Sequence, residues 1–393
     1  MVRKSVDIAV LGLGAMGSAA LFQLAARGAE VLGIDQFSPP HQLGSSHGET
    51  RITRLAVAEG RELVPLVRRS HEIWKELEAR TGESLFGQVG FLAVSGGGPG
   101  QGAGDYVDRV TAVAQGEGID HEVVDAVEAR RRYPWLNAAE GERVYVEPEG
   151  GYLRPEHCVS AQLRLAVAAG ARLSLDTRVQ AIVPEGDHVE LRTDHDTIRA
   201  GRVVVSAGAW ASKLLGPDFT SLLRPTREIL HWYGLESAAA RAWKDAPVFI
   251  WASGLRQGFY GFPAIDGSVK VAHGEKSVFV DPDHFDRSSD EAESREFYAK
   301  AIEGRLDGLN VDVSRRATCL YTVSPDGGFV IDRWPRGERV LVVSPCSGHG
   351  FKHSAAIGEA VSQLVLDGSS RIDLSSFRLG SFDRRDGRDA KLG

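Results

Sequence analysis

Residues 6–37, VDIAVLGLGAMGSAALFQLAARGAEVLGIDQF, run from a β-branched apolar stretch through three glycines and an amphipathic stretch into a second apolar run. Few folds accept that order. A strand must enter a tight turn at Gly12, the backbone at Gly14 must stay bare for a pyrophosphate, and Gly17 must let a helix lie close to the strand. A phosphate there rests on the N–H groups of a helix N-terminus, where the dipole favours an anion. The second run ends in Asp35, about 20 residues past the glycines, where a carboxylate binds a ribose hydroxyl. Strand, helix, strand and acid in this register predict an adenine-dinucleotide fold. They do not separate NAD from FAD.

At 393 residues the chain exceeds what one core usually organises, so two domains are expected. A net charge of −7 argues against nucleic acid or an anionic membrane as partner. Cys158, Cys319 and Cys346 form no CxxC pair, which suggests neither a disulfide framework nor a metal site and fits a reducing, cytoplasmic setting. The apolar N-terminal run flows into the glycines rather than a cleavage site, and no later run is long enough to span a bilayer. The terminal DAKLG holds a peroxisome-like tripeptide displaced by one residue, which such addresses do not tolerate.

Beyond the first unit, SPPHQLGSSHGETRITRLA is a polar, cationic loop with His47, Arg51 and Arg54, where a regular βαβ unit would continue. By residue type it reads as a solvated loop, or as the opening of an amphipathic helix. SGGGPGQGAG, residues 95–104, is expected to be a surface loop. A helix with an Ala and Leu stripe follows YVEPEGGYLRPEH and makes Cys158 structural. GRVVVSAGAWASKLL is a buried strand running into Ser206–Gly208, a second place for close approach to a nucleotide.

From 216 to 315 alternating strands and polar turns predict an antiparallel sheet carrying Tyr260, Lys270 and His273, with a capped helix after DRSSD. A lysine on a strand is usually a solvated edge or face residue. RVLVVSPCSGHGFKHSAAIGEAVSQLVLDG then repeats the strand-to-helix turn, with Gly348 and Gly350 before Lys352. Nucleotide turns at both ends of the chain imply one discontinuous domain, 1–85, 147–216 and 320–385. Residues 86–146 and 217–319 form a second domain, and 386–393 a tail. The fold class is thus α/β plus antiparallel β: a discontinuous Rossmann-type dinucleotide domain beside a mixed or antiparallel-sheet substrate domain. Cys319, in RRATCLYTVSPDGG, reads by type as an inert core thiol, although Arg315 and Arg316 would favour its thiolate if they point inward.

The motifs GLGAMG, GSSHGETRITR, SAGAWASKLL, YGFP, TCLYT and SGHGFK, from the first strand to about residue 380, resemble the monomeric sarcosine oxidase and N-methyltryptophan oxidase family of FAD-dependent amine oxidases, of D-amino acid oxidase-like fold. The resemblance implies FAD bonded through Cys319 Sγ to the flavin 8α-methyl. It implies that Arg54 and Lys352 hold a substrate carboxylate, and that Lys270 promotes reaction of the reduced flavin with O2. His47, Arg51 and His349 match residues around the isoalloxazine; Tyr260, Tyr321 and His273 match the substrate-side wall. Ser46 falls with the cofactor-binding residues. Lys270 and His273 stand one residue closer than in the sarcosine oxidases, and the role of His273 hangs on that spacing. Cys346 does not match the attachment position and is read as packing.

The implied reaction oxidises a carboxylate-bearing secondary amine to an imine and reduces O2 to H2O2, in a monomer that needs no partner beyond these small molecules. Two other readings stay open on the residues. One is an NAD-dependent dehydrogenase using the first motif alone; the other is a flavin-binding subunit without catalysis.

Overall fold

The computed structural model describes residues 4–96, 105–252, 258–273 and 278–381. Most of the glycine-rich stretch expected as a surface loop, and the tail 386–393, lie outside these residues.

Strand Lys4–Leu11 is central to an eight-stranded sheet. It pairs in parallel with Thr197–Val205 on one side and Val31–Ile34 on the other. Gly337–Ser344 and Arg172–Ser174 extend the parallel set in the two directions. A parallel sheet covered on both faces needs apolar side chains at consecutive positions, and Val31–Ile34 is buried at each one. A hairpin, Val179–Pro184 with Val189–Thr193, adds antiparallel strands along Thr197–Val205. Helix Ala15–Ala26 packs on both Pro155–Ala168 and Ser354–Asp367. The carboxyl ends of three neighbouring parallel strands therefore open into Gly12–Gly14, Ser206–Gly208 and Pro345–Gly350, the edge at which open α/β sheets bind ligands.

A second, nine-stranded sheet has Arg224–Leu235 beside Ser268–His273, Phe259–Ile265 and Val248–Trp251, with Leu309–Val323 along its other side. Its ladders are antiparallel except one: Val248–Trp251 runs parallel to Phe91–Gly96. Those two strands are about 150 residues apart in the chain, so local alternation carries no sign of their pairing. Period-two alternation splits this sheet into two faces. Ala272 joins Leu230, Trp232 and Cys319 on one; Val269 and Val271 join Trp251, Phe259 and Phe297 on the other.

The basic residues of the loop are neither on a solvated face nor at the start of a helix, with His47 and Arg54 buried. Arg51–Thr53 is a short strand on Gly151–Leu153, and the amphipathic helix begins only at Val64. Glu156 holds the loop from below, its carboxylate accepting from Gly48 N–H at 2.6 Å and Glu49 N–H at 3.1 Å. Helices Tyr106–Glu117 and Glu291–Phe297 start at side-chain caps, Asp105 and Asp290, each accepting from the N–H three residues on. No helix among the described residues is long and apolar enough to cross a membrane.

Candidate active site

A cavity of 540 Å³ runs along the carboxyl edge of the parallel sheet, lined by Gly12, Gly14, Asp35 and Ser46 in one region and by Arg51, Tyr321, Cys346, Gly348 and Gly350 in another. Gly208 lines it as well. The glycine turn is obligatory. Gly12 has φ +87°, and a Cβ there would lie 2.6 Å from Ser206 O. A Cβ on Gly17 would lie 1.7 Å from Gly12 O, inside the turn itself. Ser46 Oγ accepts from Ala15 N–H at 3.0 Å and so caps the first turn of the helix. Asp35 is buried, with one oxygen on Leu13 N–H at 2.7 Å and the other on Phe37 N–H at 2.9 Å. Burial raises its pKa and these bonds oppose the rise. Asp35 thus braces the glycine turn as well as facing the cavity.

At the Tyr321 end, Cys319 is fully buried on strand Leu309–Val323, its thiol directed at Ser45 O at 3.6 Å. The nearby cation is Arg51, whose Nη2 lies 3.5 Å from Sγ and donates to Ser45 O at 2.6 Å. Arg315 instead lies over the Trp232 ring and pairs with Glu49, so the flanking arginine foreseen as a thiolate aid is turned elsewhere. Burial pushes the Cys319 thiol up, against the pull of Arg51. Cys346 accepts from Thr322 N–H at 3.3 Å through its sulfur and faces the same cavity, so it does more than fill a core.

His47 and Lys270 stand behind this end. His47 is 1% exposed, its Nε2 has no partner, and burial with Arg51 beside it lowers its pKa to about 4. Lys270 is no edge lysine. It is 2% exposed, donates to Gly48 O at 2.8 Å and Thr50 O at 2.6 Å, and lies 4.0 Å from the centre of the Phe262 ring. Burial and Arg51 press its pKa well below the usual lysine range.

A second cluster gathers two cations on a carboxylate. Arg54 and Lys352 are each 2% exposed. Arg54 Nη2 donates to both oxygens of Glu59 at 2.9 Å and to Tyr106 OH at 2.8 Å. Lys352 Nζ lies 3.9 Å from Glu59 and donates to His349 O at 2.8 Å. The two cations hold the Glu59 carboxyl well below its ordinary range, and burial lowers Lys352 to about 7. Glu147, completely buried, accepts from Leu55 N–H at 2.6 Å and Ala56 N–H at 3.0 Å, which fixes the backbone just after Arg54. His349 bonds Gly327 O through Nε2 at 2.9 Å, which puts the proton on Nε2 and leaves Nδ1 as an unpartnered acceptor; burial lowers its pKa to about 4. Tyr260 and Tyr321 share a hydrogen bond, OH to OH at 2.9 Å, and burial raises Tyr260 to about 12.

His273 does not join these residues. It lies three residues past Lys270 on the same strand, an odd separation that turns it to the opposite side of the sheet, its ring 3.9 Å from that of Phe297. Cys158 is buried in helix Pro155–Ala168, as its position implied. Residue patterns gave no sign of Glu59, Tyr106, Glu147 or Glu156. Each meets its partner only through the fold, although Glu59 stands only five residues after Arg54 in the sequence.

The groups lining the cavity fit a flavin dinucleotide: bare backbone N–H at a helix start, a carboxylate at the second strand end, and the half-buried Arg51 guanidinium and Cys346 thiol at the far end, with the buried Cys319 thiol 3.5 Å from Arg51. The FAD dependent oxidoreductase family model matches residues 7–364, and the chain belongs to that family. FAD is its cofactor, and the nicotinamide alternative falls with that membership. The chain is 35% identical over 382 residues to a monomeric sarcosine oxidase of Bacillus sp. (strain B-0618), covering 95% of each. It is 34% identical over 387 residues to an N-methyl-L-tryptophan oxidase of Yersinia pestis (strain Pestoides F), covering 96% of this chain and 99% of the other. The fold matches that of NikD, an unusual amino acid oxidase essential for nikkomycin biosynthesis, at TM-score 0.81 and 23% identity over 96% of this chain and 98% of that one. It matches L-proline dehydrogenase from P. horikoshii at TM-score 0.80 and 22% identity, over 98% and 99%.

Proposed function

We propose that this protein is a cytoplasmic FAD-dependent oxidase of a secondary amine that carries a carboxylate, such as an N-methyl or cyclic amino acid. Overall, one C–N bond loses two electrons and two protons to give an imine, water hydrolyses the imine, and O2 gains both electrons and protons as H2O2. The observation that carries the reading is the meeting of two buried cations, Arg54 and Lys352, on one carboxylate, that of Glu59. A site that stabilises its own carboxylate this way has the charge to hold a substrate's.

In this reading FAD supplies the two-electron chemistry, and the chain supplies position and charge. Arg54 and Lys352 anchor the carboxylate as Glu59 gives way. Two cations beside the amine favour its neutral form, whose lone pair assists loss of hydride equivalents. Tyr260 and Tyr321 form the wall of the substrate pocket. His349 Nδ1 offers a neutral acceptor at working pH. Lys270 binds its proton weakly until negative charge develops beside it, and so serves the oxygen half of the reaction. His47 and Arg51 border the isoalloxazine, with Arg51 stabilising negative charge at the Cys319 sulfur, the attachment point. Residues 1–85, 147–216 and 320–385 form the flavin-binding unit, with 86–146 and 217–319 as the substrate unit.

Two measurements test this. Denaturing the holoenzyme in acid should leave yellow colour in the pellet, and Cys319→Ala should release it; colour in the wild-type supernatant would refute the covalent link alone. Peroxide release should follow addition of sarcosine, N-methyl-L-tryptophan or L-proline, but not of their amides. Equal turnover of the amides would overturn the carboxylate requirement.

A further inference from the structure

Tyr106 opens helix Tyr106–Glu117 and is held there by three ties. Asp105 caps the helix, Arg143 bonds Asp105 at 3.0 Å, and Val107 N–H donates to Ser95 Oγ at 3.0 Å, joining the helix start to strand Phe91–Gly96. The same strand supplies Phe91, whose ring centre lies 5.2 Å from the Arg54 guanidinium. The tyrosine hydroxyl therefore reaches Arg54 from a fixed scaffold.

An arginine only donates, so in the 2.8 Å contact the Tyr106 oxygen accepts and its own proton remains available. Burial keeps that phenol protonated far beyond working pH. Arg54 Nε is buried without a partner, so the guanidinium also holds an unused donor. A carboxylate offers about four lone-pair sites, and Glu59 receives Arg54 Nη2 on both oxygens with Lys352 more distant. A carboxylate entering this cluster meets two cations and one hydroxyl.

We infer that the Tyr106 hydroxyl is a third donor to the substrate carboxylate, beside Arg54 and Lys352, and that it selects acids over amides or esters of the same amine. The inference rests on the reading of Arg54 and Lys352 as the carboxylate pair. It brings in a residue of the segment before residue 146, which the motifs leave without a role.

The test uses holoenzyme and methoxyacetate, the oxygen isostere of sarcosine, which has no amine to oxidise, with methoxyacetamide as its uncharged twin. Binding is followed through the visible flavin spectrum. Tyr106→Phe should weaken methoxyacetate about tenfold, the loss of one charge-assisted hydrogen bond, and leave methoxyacetamide unchanged. Sarcosine turnover, where present, should show the same loss in KM with kcat held. Unchanged methoxyacetate binding, or equal weakening of acid and amide, would overturn the inference. Arg54→Gln separates the two levels. If Arg54→Gln weakens methoxyacetate and Tyr106→Phe does not, only Tyr106 is misassigned; if neither does, or if the wild type ignores methoxyacetate, the carboxylate reading fails and this inference with it.

Discussion

The dinucleotide turn and the carboxylate cluster bind charge by opposite means. The turn is backbone: Gly12, Gly14 and Gly17 span six residues and expose N–H groups at one helix start. The cluster is side chain: Arg54, Glu59, Tyr106 and Lys352 arrive from a loop, a helix start and a third strand-to-helix turn almost 300 residues further on. A backbone site needs the absence of side chains and fails when one is added. A side-chain site needs particular heads in place and degrades stepwise as they are removed.

The largest break in that comparison is a methyl group in the turn. Gly17→Ala would put a carbon 1.7 Å from Gly12 O, so the expected outcome is complete loss of bound flavin, read as visible absorbance per mole of protein. Retained yellow colour would mean the turn relaxes and is no stricter than the cluster.

Next is Lys270→Met. A charge about 4 Å from developing negative charge, at an effective dielectric near 20, is worth about 4 kcal/mol, or roughly a thousandfold in rate. Anaerobic bleaching by substrate should proceed normally while colour returns about a thousandfold more slowly in air. Fast return in stopped flow would remove Lys270 from the oxygen half of the reaction.

Arg54→Gln should keep the fold and the flavin and lower kcat/KM by about a hundredfold, since it also leaves Glu59 without its main partner. A variant that instead loses flavin would show that the two regions are not independent.

The smallest effect is a pH dependence. Lys352 has its pKa depressed to about 7, so its charge is present below that pH and lost above it. Methoxyacetate binding should therefore weaken severalfold as pH climbs from about 6 to about 8, and Lys352→Met should flatten the profile. An unchanged wild-type profile would place Lys352's titration elsewhere.

The nucleotide turns were legible because their requirements are local. Glycine spacing, an apolar strand and a terminal acid all lie within one short window, and the same logic exposed SAGAW and SGHGFK. The helix start at Asp290 was readable for the same reason. Lys270 was not: a lysine on a strand has no sequence mark that distinguishes a solvated face from a burial site between two carbonyls. Resemblance alone named it. His273 shows the converse, since the resemblance assigned it to the pocket and its odd separation from Lys270 turned it to the other face. The sequence left open which way the arginines flanking Cys319 point, and the cation beside its thiol, Arg51, is 268 residues away.

By itself the sequence determined the dinucleotide edge, since its glycine turns follow from short-range spacing and steric necessity, while most polar groups of the site were named by the resemblance and not by spacing. Only the tertiary structure decided which heads meet: Glu59 on Arg54 and Lys352, Tyr106 on Arg54, Arg51 on Cys319. Side chains from distant strands become neighbours through sheet order and burial. A buried charge then tolerates only the partners that the packing brings within reach.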